Sequence, residues 1–150
     1  NGKYTKIKNI NLASTLSYTD KNLTTNQTYY YKIRAFNKTN GKKLYGDYSS
    51  VVSAKPSLSK PTLSLSSKSK KAYIKYSKVA GASGYQIYRA KSKNGTYSNI
   101  KTITSGKTTS YTDSKLTKNK IYYYKVRAYK TIKNKKVYGP YSSVKYIKIK

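Results

Sequence analysis

Three aspartates, Asp20, Asp47 and Asp113, are the whole acidic complement of this 150-residue chain, and glutamate, histidine, cysteine, methionine and tryptophan are absent. General acid–base catalysis needs two titrating groups within reach of one substrate, and these three carboxylates lie far apart in sequence. No thiolate nucleophile, imidazole base or Cys/His metal set can be assembled from the remaining residue types. The sequence therefore predicts no catalytic residues, no metal site and no cofactor. Against the 3 carboxylates stand 33 basic residues, a net charge of +30. What such a surface can do is associate with anionic polymers: wall polymer, acidic polysaccharide or extracellular DNA. Lysine outnumbers arginine 30 to 3, so the charge is diffuse rather than gathered into bidentate forks.

A second kind of chemistry lies in alternating aromatic and cationic side chains. Tyr123, Lys125, Arg127 and Tyr129 fall on one side of a period-two segment, and Tyr30, Lys32, Arg34 and Phe36 repeat the arrangement earlier in the chain. With Tyr88, these positions (Phe36 aside) form the candidate binding face, which could stack bases or sugars and pair with phosphates. The plainer reading is a solvated sheet face on which tyrosine and lysine pack across strands, and it is preferred because the same residue types cover every strand. Gly81-Ala82-Ser83-Gly84 is a turn rather than a phosphate cradle, because a strand pattern and not a helix follows it. The Asn-x-Thr triplets at Asn22, Asn26, Asn37 and Asn94 are what an Asn- and Thr-rich composition yields by itself.

The elements that carry these residues are strands. Ala72, Ile74 and Tyr76 alternate with Tyr73 and Lys75, and Tyr122, Tyr124, Val126 and Ala128 alternate with Tyr123, Lys125 and Arg127. Period two with one apolar face predicts a β-sandwich of about 90 residues, its strands separated by turns such as Asn94-Gly95 and Ser105-Gly106. High charge with low hydrophobicity ordinarily signals disorder, but 20 tyrosines can each bury a ring and keep a polar tip. The chain also repeats itself. At an offset of 93, without a gap, 29 of 57 aligned positions are identical, including Tyr29-Tyr30-Tyr31-Lys32 with Tyr122-Tyr123-Tyr124-Lys125. The expected organisation is a partial repeat at 1–55, a Pro- and Ser-containing linker at 56–60 and a whole repeat at 61–150.

Gly84-Tyr85-Gln86-Ile87-Tyr88-Arg89 resembles the third strand of a fibronectin type III module. Leu116, Tyr122, Tyr124, Val126 and Ala128 resemble the approach to and course of its sixth strand, and Tyr141-Ser142-Ser143-Val144 the approach to its last. The nearest likeness is to tandem modules of secreted and wall-associated proteins of Gram-positive bacteria. The family's second-strand tryptophan is replaced here by Tyr76. The resemblance implies a structural tyrosine corner at Tyr122 with Leu116 and at Tyr29 with Leu23, in agreement with the position of each tyrosine at a strand entrance. Some Gram-positive surface domains carry Lys–Asn crosslinks assisted by a buried carboxylate. The Tyr-Thr-Asp sequences ending at Asp20 and Asp113 read more simply as strand ends leading into side-chain-stabilised turns.

The sequence thus predicts an all-β, fibronectin type III-like (immunoglobulin-like) sandwich with an incomplete first repeat. Its expected role is that of a non-catalytic, extracellular structural or adhesive module that binds anionic polymers and possesses no small-molecule substrate. Alternatives are a subunit of a self-assembling surface fibre, which would pair with other copies of itself, and a carbohydrate- or nucleic-acid-binding accessory module. No signal peptide is apparent and the first residue is not Met, so the chain reads as a mature or excised fragment. The first repeat has no counterpart of residues 61–93, and its inward residues Tyr29, Tyr31, Ile33 and Ala35 are expected to lack half their core.

Overall fold

The computed structural model describes residues 2–150. In chain order the strands are β1 (Tyr29–Tyr31), β2 (Phe36–Thr39), β3 (Lys42–Tyr45), β4 (Val52–Ala54), β5 (Leu63–Lys68) and β6 (Lys71–Tyr76). They continue with β7 (Gly84–Ala90), β8 (Ser98–Ile103), β9 (Ser110–Asp113), β10 (Ile121–Ile132), β11 (Lys135–Tyr141) and β12 (Lys145–Lys148). All pairings are antiparallel. Among the described residues there is no helix, and hence none long and apolar enough to cross a membrane.

From Leu58 onward two sheets enclose one core. One has the order β5-β6-β9. The other runs β11-β10-β7-β8, with β12 continuing the β11 side of β10. The alternation decides which side chains enter the core. Ala72, Ile74 and Tyr76 of β6 are buried and face Tyr85 and Ile87 of β7 and Tyr122, Tyr124, Val126 and Ala128 of β10. Between β11 and β12 the edge is bridged by Ser142, whose N–H donates to the Val126 carbonyl at 2.7 Å and whose Oγ accepts the Val126 N–H at 3.0 Å. Leu58, which the sequence places in the linker, is instead a core residue. Gly139 makes room for it, because a Cβ there would lie 2.8 Å from the Leu58 Cβ.

Tyr129 keeps its outward place beside Arg127 but is buried there. Its cross-strand partner Tyr138 packs against its ring at 6.2 Å and Lys136 lies over it at 5.0 Å. The β10–β11 register shift between Arg127 and Tyr129 is a bulge on β11, where Gly139 and Pro140 stand opposite Ala128 alone, and β10 itself alternates without interruption. The Tyr129 ring then lies over Gly84, and its hydroxyl donates to the Ile103 carbonyl at 3.2 Å.

The earlier segment forms two separate pairs, β1-β4 and β2-β3. Their registers repeat those of β10-β12 and β10-β11 at the 93-residue offset: Tyr29↔Ala54 matches Tyr122↔Ile147, and Phe36↔Tyr45 matches Tyr129↔Tyr138. Yet no residue from 2 to 57 is buried. Residues 5–10 and 17–20, the equivalents of β8 and β9, are not strands. In the later segment β8 pairs with β7, and β9 with β6; a strand without a partner has nowhere to place its backbone hydrogen bonds.

Two buried hydroxyls test this core. Tyr76, where the family resemblance expects tryptophan, packs against Tyr85 with ring centroids 4.7 Å apart, and its buried hydroxyl has no partner among the described residues. The Tyr124 hydroxyl donates to Asp113 Oδ2 at 3.0 Å. Tyr76→Phe removes an unsatisfied group and is expected to raise unfolding free energy by about 1 kcal/mol, while Tyr124→Phe lowers it by about 1.5–3 kcal/mol. Urea denaturation measures both, and a destabilised Tyr76→Phe would contradict the assignment. Burial, then the neighbouring Tyr85, raises the Tyr76 pKa; burial, then the Asp113 charge, raises that of Tyr124. A raised folded-state pKa contributes stability that is complete below the ordinary tyrosine value of about 10 and is lost as pH climbs beyond it. Between pH 9 and 11 the unaltered chain should therefore lose more stability than Tyr76→Phe.

Candidate functional site

The outward side of β7, β10 and β11 carries an interleaved ladder of aromatic rings and cations. Lys125 Nζ lies 4.4 Å from the Tyr97 ring centre and 4.2 Å from that of Tyr141. The Arg127 guanidinium carbon sits 3.8 Å from the Tyr138 centroid and 4.9 Å from that of Tyr141. Tyr88 meets Tyr141 edge to face at 5.3 Å, and Lys136 reaches the Tyr129 ring at 5.0 Å. Each such contact is worth about 0.5–2 kcal/mol, more where water is excluded. Partial burial also raises the pKa of the Tyr97 and Tyr141 hydroxyls.

Arg127 spends its donors internally. Its Nε and Nη2 donate to Gln86 Oε1 at 3.0 and 2.8 Å, Nη2 also to the Tyr88 hydroxyl at 2.8 Å, and that hydroxyl donates to Gln86 Oε1 at 2.8 Å. The cross-strand register Arg127↔Gln86 makes the fork possible. Of the candidate face, then, Tyr88, Lys125 and Arg127 come together, Tyr123 pairs instead with Tyr146 at 5.7 Å, and Tyr129 is buried. Gln86, Tyr97, Tyr138 and Tyr141 were not anticipated. The signal for the three tyrosines was their identity at both copies of the repeat, and for Gln86 its period-two position beside Tyr88.

The ladder exists twice. Lys32 Nζ lies 4.4 Å from Tyr4 and 4.0 Å from Tyr48, and Arg34 lies 3.8 Å from Tyr45 and 4.6 Å from Tyr48. Tyr30 is exposed beside them. The tyrosine corners are also duplicated: the Thr117 N–H donates to the Tyr122 hydroxyl at 3.2 Å, and the Thr24 N–H to that of Tyr29 at 2.9 Å. Hydrogen bonds from Thr117 lower the Tyr122 pKa. Leu116 lies in the core and Leu23 is half-buried.

The acids are placed structurally. Asp113 is buried and paired with Arg89 Nη1 at 2.8 Å, Asp20 accepts from the Tyr31 hydroxyl at 3.0 Å, and Asp47 is exposed. Among the described residues no three metal-ligating side chains meet. Two shallow depressions of about 280 and 350 Å³, one beside Arg89, Lys91 and Ser92 and the other beside Lys101 and Thr102, contain no carboxylate. They offer ammonium, guanidinium and hydroxyl groups but no acid–base pair.

No family model and no curated protein sequence matches the chain. Among solved structures it is similar to a Fn3-like protein from Clostridium thermocellum, with 29% identity, a TM-score of 0.52 and coverage of 63% of this chain and 94% of that one. It is also similar to the FN1–FN3 domains of chicken CNTN1 (20% identity, TM-score 0.53, 89% of this chain but 46% of that one). A third likeness is to the sixth fibronectin type III domain of human fibronectin type III domain containing protein 3 (15% identity, TM-score 0.52, 64% of this chain and 89% of that one). The fold is all-β and fibronectin type III-like, as the residues of β7 and β10 suggested.

If Arg127 is structural, its fork matters more than its charge. Arg127→Lys keeps the charge and loses the planar donors to Gln86, and is expected to cost about 1–3 kcal/mol in thermal or urea unfolding. Polyanion binding by the folded variant should stay within about twofold, since the net charge is unchanged.

Proposed function

We propose that this chain is a non-catalytic, extracellular structural module, of the kind strung in tandem in Gram-positive wall and secreted proteins, that adheres to anionic polymers through its uncompensated lysines. The observation that carries this reading is the charge balance. The chain has 33 cations and 3 carboxylates, and among the described residues a single ion pair, Arg89–Asp113, neutralises any of them. The ladder supports a distributed mechanism, because Arg127 and Lys125 are occupied by rings and by Gln86. That leaves attraction to many exposed lysines, among them Lys38 and Lys42 on the β2–β3 hairpin and Lys133 and Lys135 on the β10–β11 hairpin. Phosphate-rich wall polymer, acidic polysaccharide and extracellular DNA all present closely spaced anions to such a surface.

Binding of this kind is dominated by counterion release, with log K falling by about 0.9 per engaged phosphate for each decade of salt on duplex DNA. Affinity for wall polymer and DNA should therefore fall steeply between 50 and 200 mM salt, whereas a neutral polysaccharide should not bind. Replacing Lys38, Lys42, Lys133 and Lys135 together by Gln should flatten the salt slope without altering the fold. Titration at several salt concentrations measures this, and an affinity indifferent to salt would sink the proposal. Thermal stability should move the opposite way and rise with modest salt, because screening acts over about 8 Å at physiological ionic strength.

A further inference from the structure

Tyrosine is the one readily oxidised side chain of this molecule. Cysteine and methionine, the usual targets of oxidation, are absent, as are tryptophan and histidine, and 20 tyrosines remain. Four tyrosine–tyrosine ring pairs meet among the described residues. Tyr76–Tyr85 is sealed in the core, and Tyr129–Tyr138 has one buried member. Tyr88–Tyr141 stands edge to face at 85°, so the edge of one ring meets the face of the other. The fourth pair, Tyr123–Tyr146, shares none of these obstacles.

Tyr123 of β10 and Tyr146 of β12 are direct cross-strand partners on the outward face. Their ring centroids are 5.7 Å apart, within the range of about 4.5–7 Å at which aromatic rings touch, and their planes differ by 38°. Directly opposed residues project from a sheet in the same direction, so the two phenols lie side by side. The ring torsion of tyrosine is broad, and rotation about it brings a carbon ortho to one oxygen against its counterpart. Tyr146 is 67% exposed and Tyr123 half-buried, so a solvent-borne oxidant reaches the pair. Charge favours joining within one chain. At +30 two copies repel each other, and Lys145 and Lys148 flank Tyr146. Radicals on different copies are held apart, whereas these two rings are already in contact. The chain also carries its own control: Tyr30, the equivalent of Tyr123, is 61% exposed but faces Ser53 across β1 and β4.

We propose that Tyr123 and Tyr146 form an oxidative modification site, at which a haem peroxidase using hydrogen peroxide joins the two rings and staples β12 to β10. The oxidant takes one electron and one proton from each phenol, and the hydrogen peroxide becomes two waters. The two phenoxyl radicals couple at ring carbons ortho to their oxygens and form one carbon–carbon bond. The hydrogen on each coupled carbon then moves as a proton to the oxygen of its own ring. Both rings regain aromaticity, and the chain is two hydrogen atoms lighter. The link secures β12, a strand of 4 residues that pairs with β10 alone among the described strands. Short edge segments open locally at low free energy, and a covalent bond to a strand in the middle of its sheet removes that opening.

The test treats the full chain, dilute and at low salt, with a haem peroxidase and hydrogen peroxide. The expected product is a monomer two hydrogen atoms lighter, with the blue fluorescence of a biphenol, from which proteolysis releases the peptides of Tyr123 and Tyr146 joined together. Tyr123→Phe and Tyr146→Phe each keep a ring in place, which far-UV circular dichroism checks, but leave only one phenol to oxidise. Either substitution should abolish the intrachain product, whereas Tyr30→Phe and Tyr138→Phe should leave its yield unchanged. In the joined chain, hydrogen exchange across β12 should slow by about tenfold or more relative to the untreated chain. A chain that forms no intrachain link, or one joined instead through Tyr97, Tyr141 or Tyr76, overturns the inference. So does a yield that survives both substitutions at the pair, or exchange in β12 that the link leaves unaltered.

Discussion

The requirement that a strand's backbone polar groups be paired governs this molecule, and β7 is where the requirement is met. Gly84–Ala90 pairs with β10 along one edge and with β8 along the other. From that central position it supplies Tyr85 and Ile87 to the core, Gln86 and Tyr88 to the ladder and Arg89 to the buried Asp113. Unpaired backbone groups in an apolar interior cost as much as lost hydrogen bonds, so a segment whose partner strand is missing does not become a strand. The two halves of the chain display both outcomes. Residues 98–103 and 110–113 are strands, and residues 5–10 and 17–20, which share Ile7/Ile100, Ile10/Ile103 and Tyr18-Thr19-Asp20/Tyr111-Thr112-Asp113 with them, are not.

Tyrosine reconciles this fold with a charge of +30. A core of ordinary aliphatic residues would leave little sequence for anything but lysine at the surface, and lysines without counter-ions repel. Here tyrosine rings fill both roles. Inside, Tyr85 takes a hydrogen bond from the Val79 N–H at 2.9 Å and offers its own to the Gly106 carbonyl at 3.3 Å, so burying the ring strands no polar group. Outside, Tyr97, Tyr138 and Tyr141 lie against Lys125 and Arg127 and give those cations an electron-rich face in place of a carboxylate. Tyr76 is the exception on the inside: its ring packs against Tyr85, and its buried hydroxyl has no partner among the described residues.

The proposed function rests on the same division of labour. The cations nearest the sheet surface are committed to holding the sheet together, whereas those on the hairpins and edges are free to meet an anionic polymer. The binding surface we propose has no single pocket and takes its specificity from charge density. The depressions beside Arg89 and Lys101 are shallow and lined mainly by ammonium, guanidinium and hydroxyl groups.

Much of this was legible from the residues alone. Period-two alternation and the spacing of turns fixed the strand class, the absence of histidine, cysteine and glutamate narrowed the chemistry, and the repeat identified Tyr4, Tyr45 and Tyr48 with Tyr97, Tyr138 and Tyr141 before any ladder was visible. These properties belong to single residues or to local spacing, and a sequence states both directly. Three things belonged to the tertiary structure. Tyr129 was buried on the outward face because Gly84 beside it leaves room for its ring and Tyr138 and Lys136 cover it, Leu58 left the linker because Gly139 on a distant strand makes room for it, and Gln86 acquired its role from the strand register that sets it opposite Arg127. The deeper limit is seen in Ile33 and Val126, which have the same neighbours in sequence and opposite burial. Sequence decided which face of each strand could be buried; only the presence of a partner strand decided that one of them was.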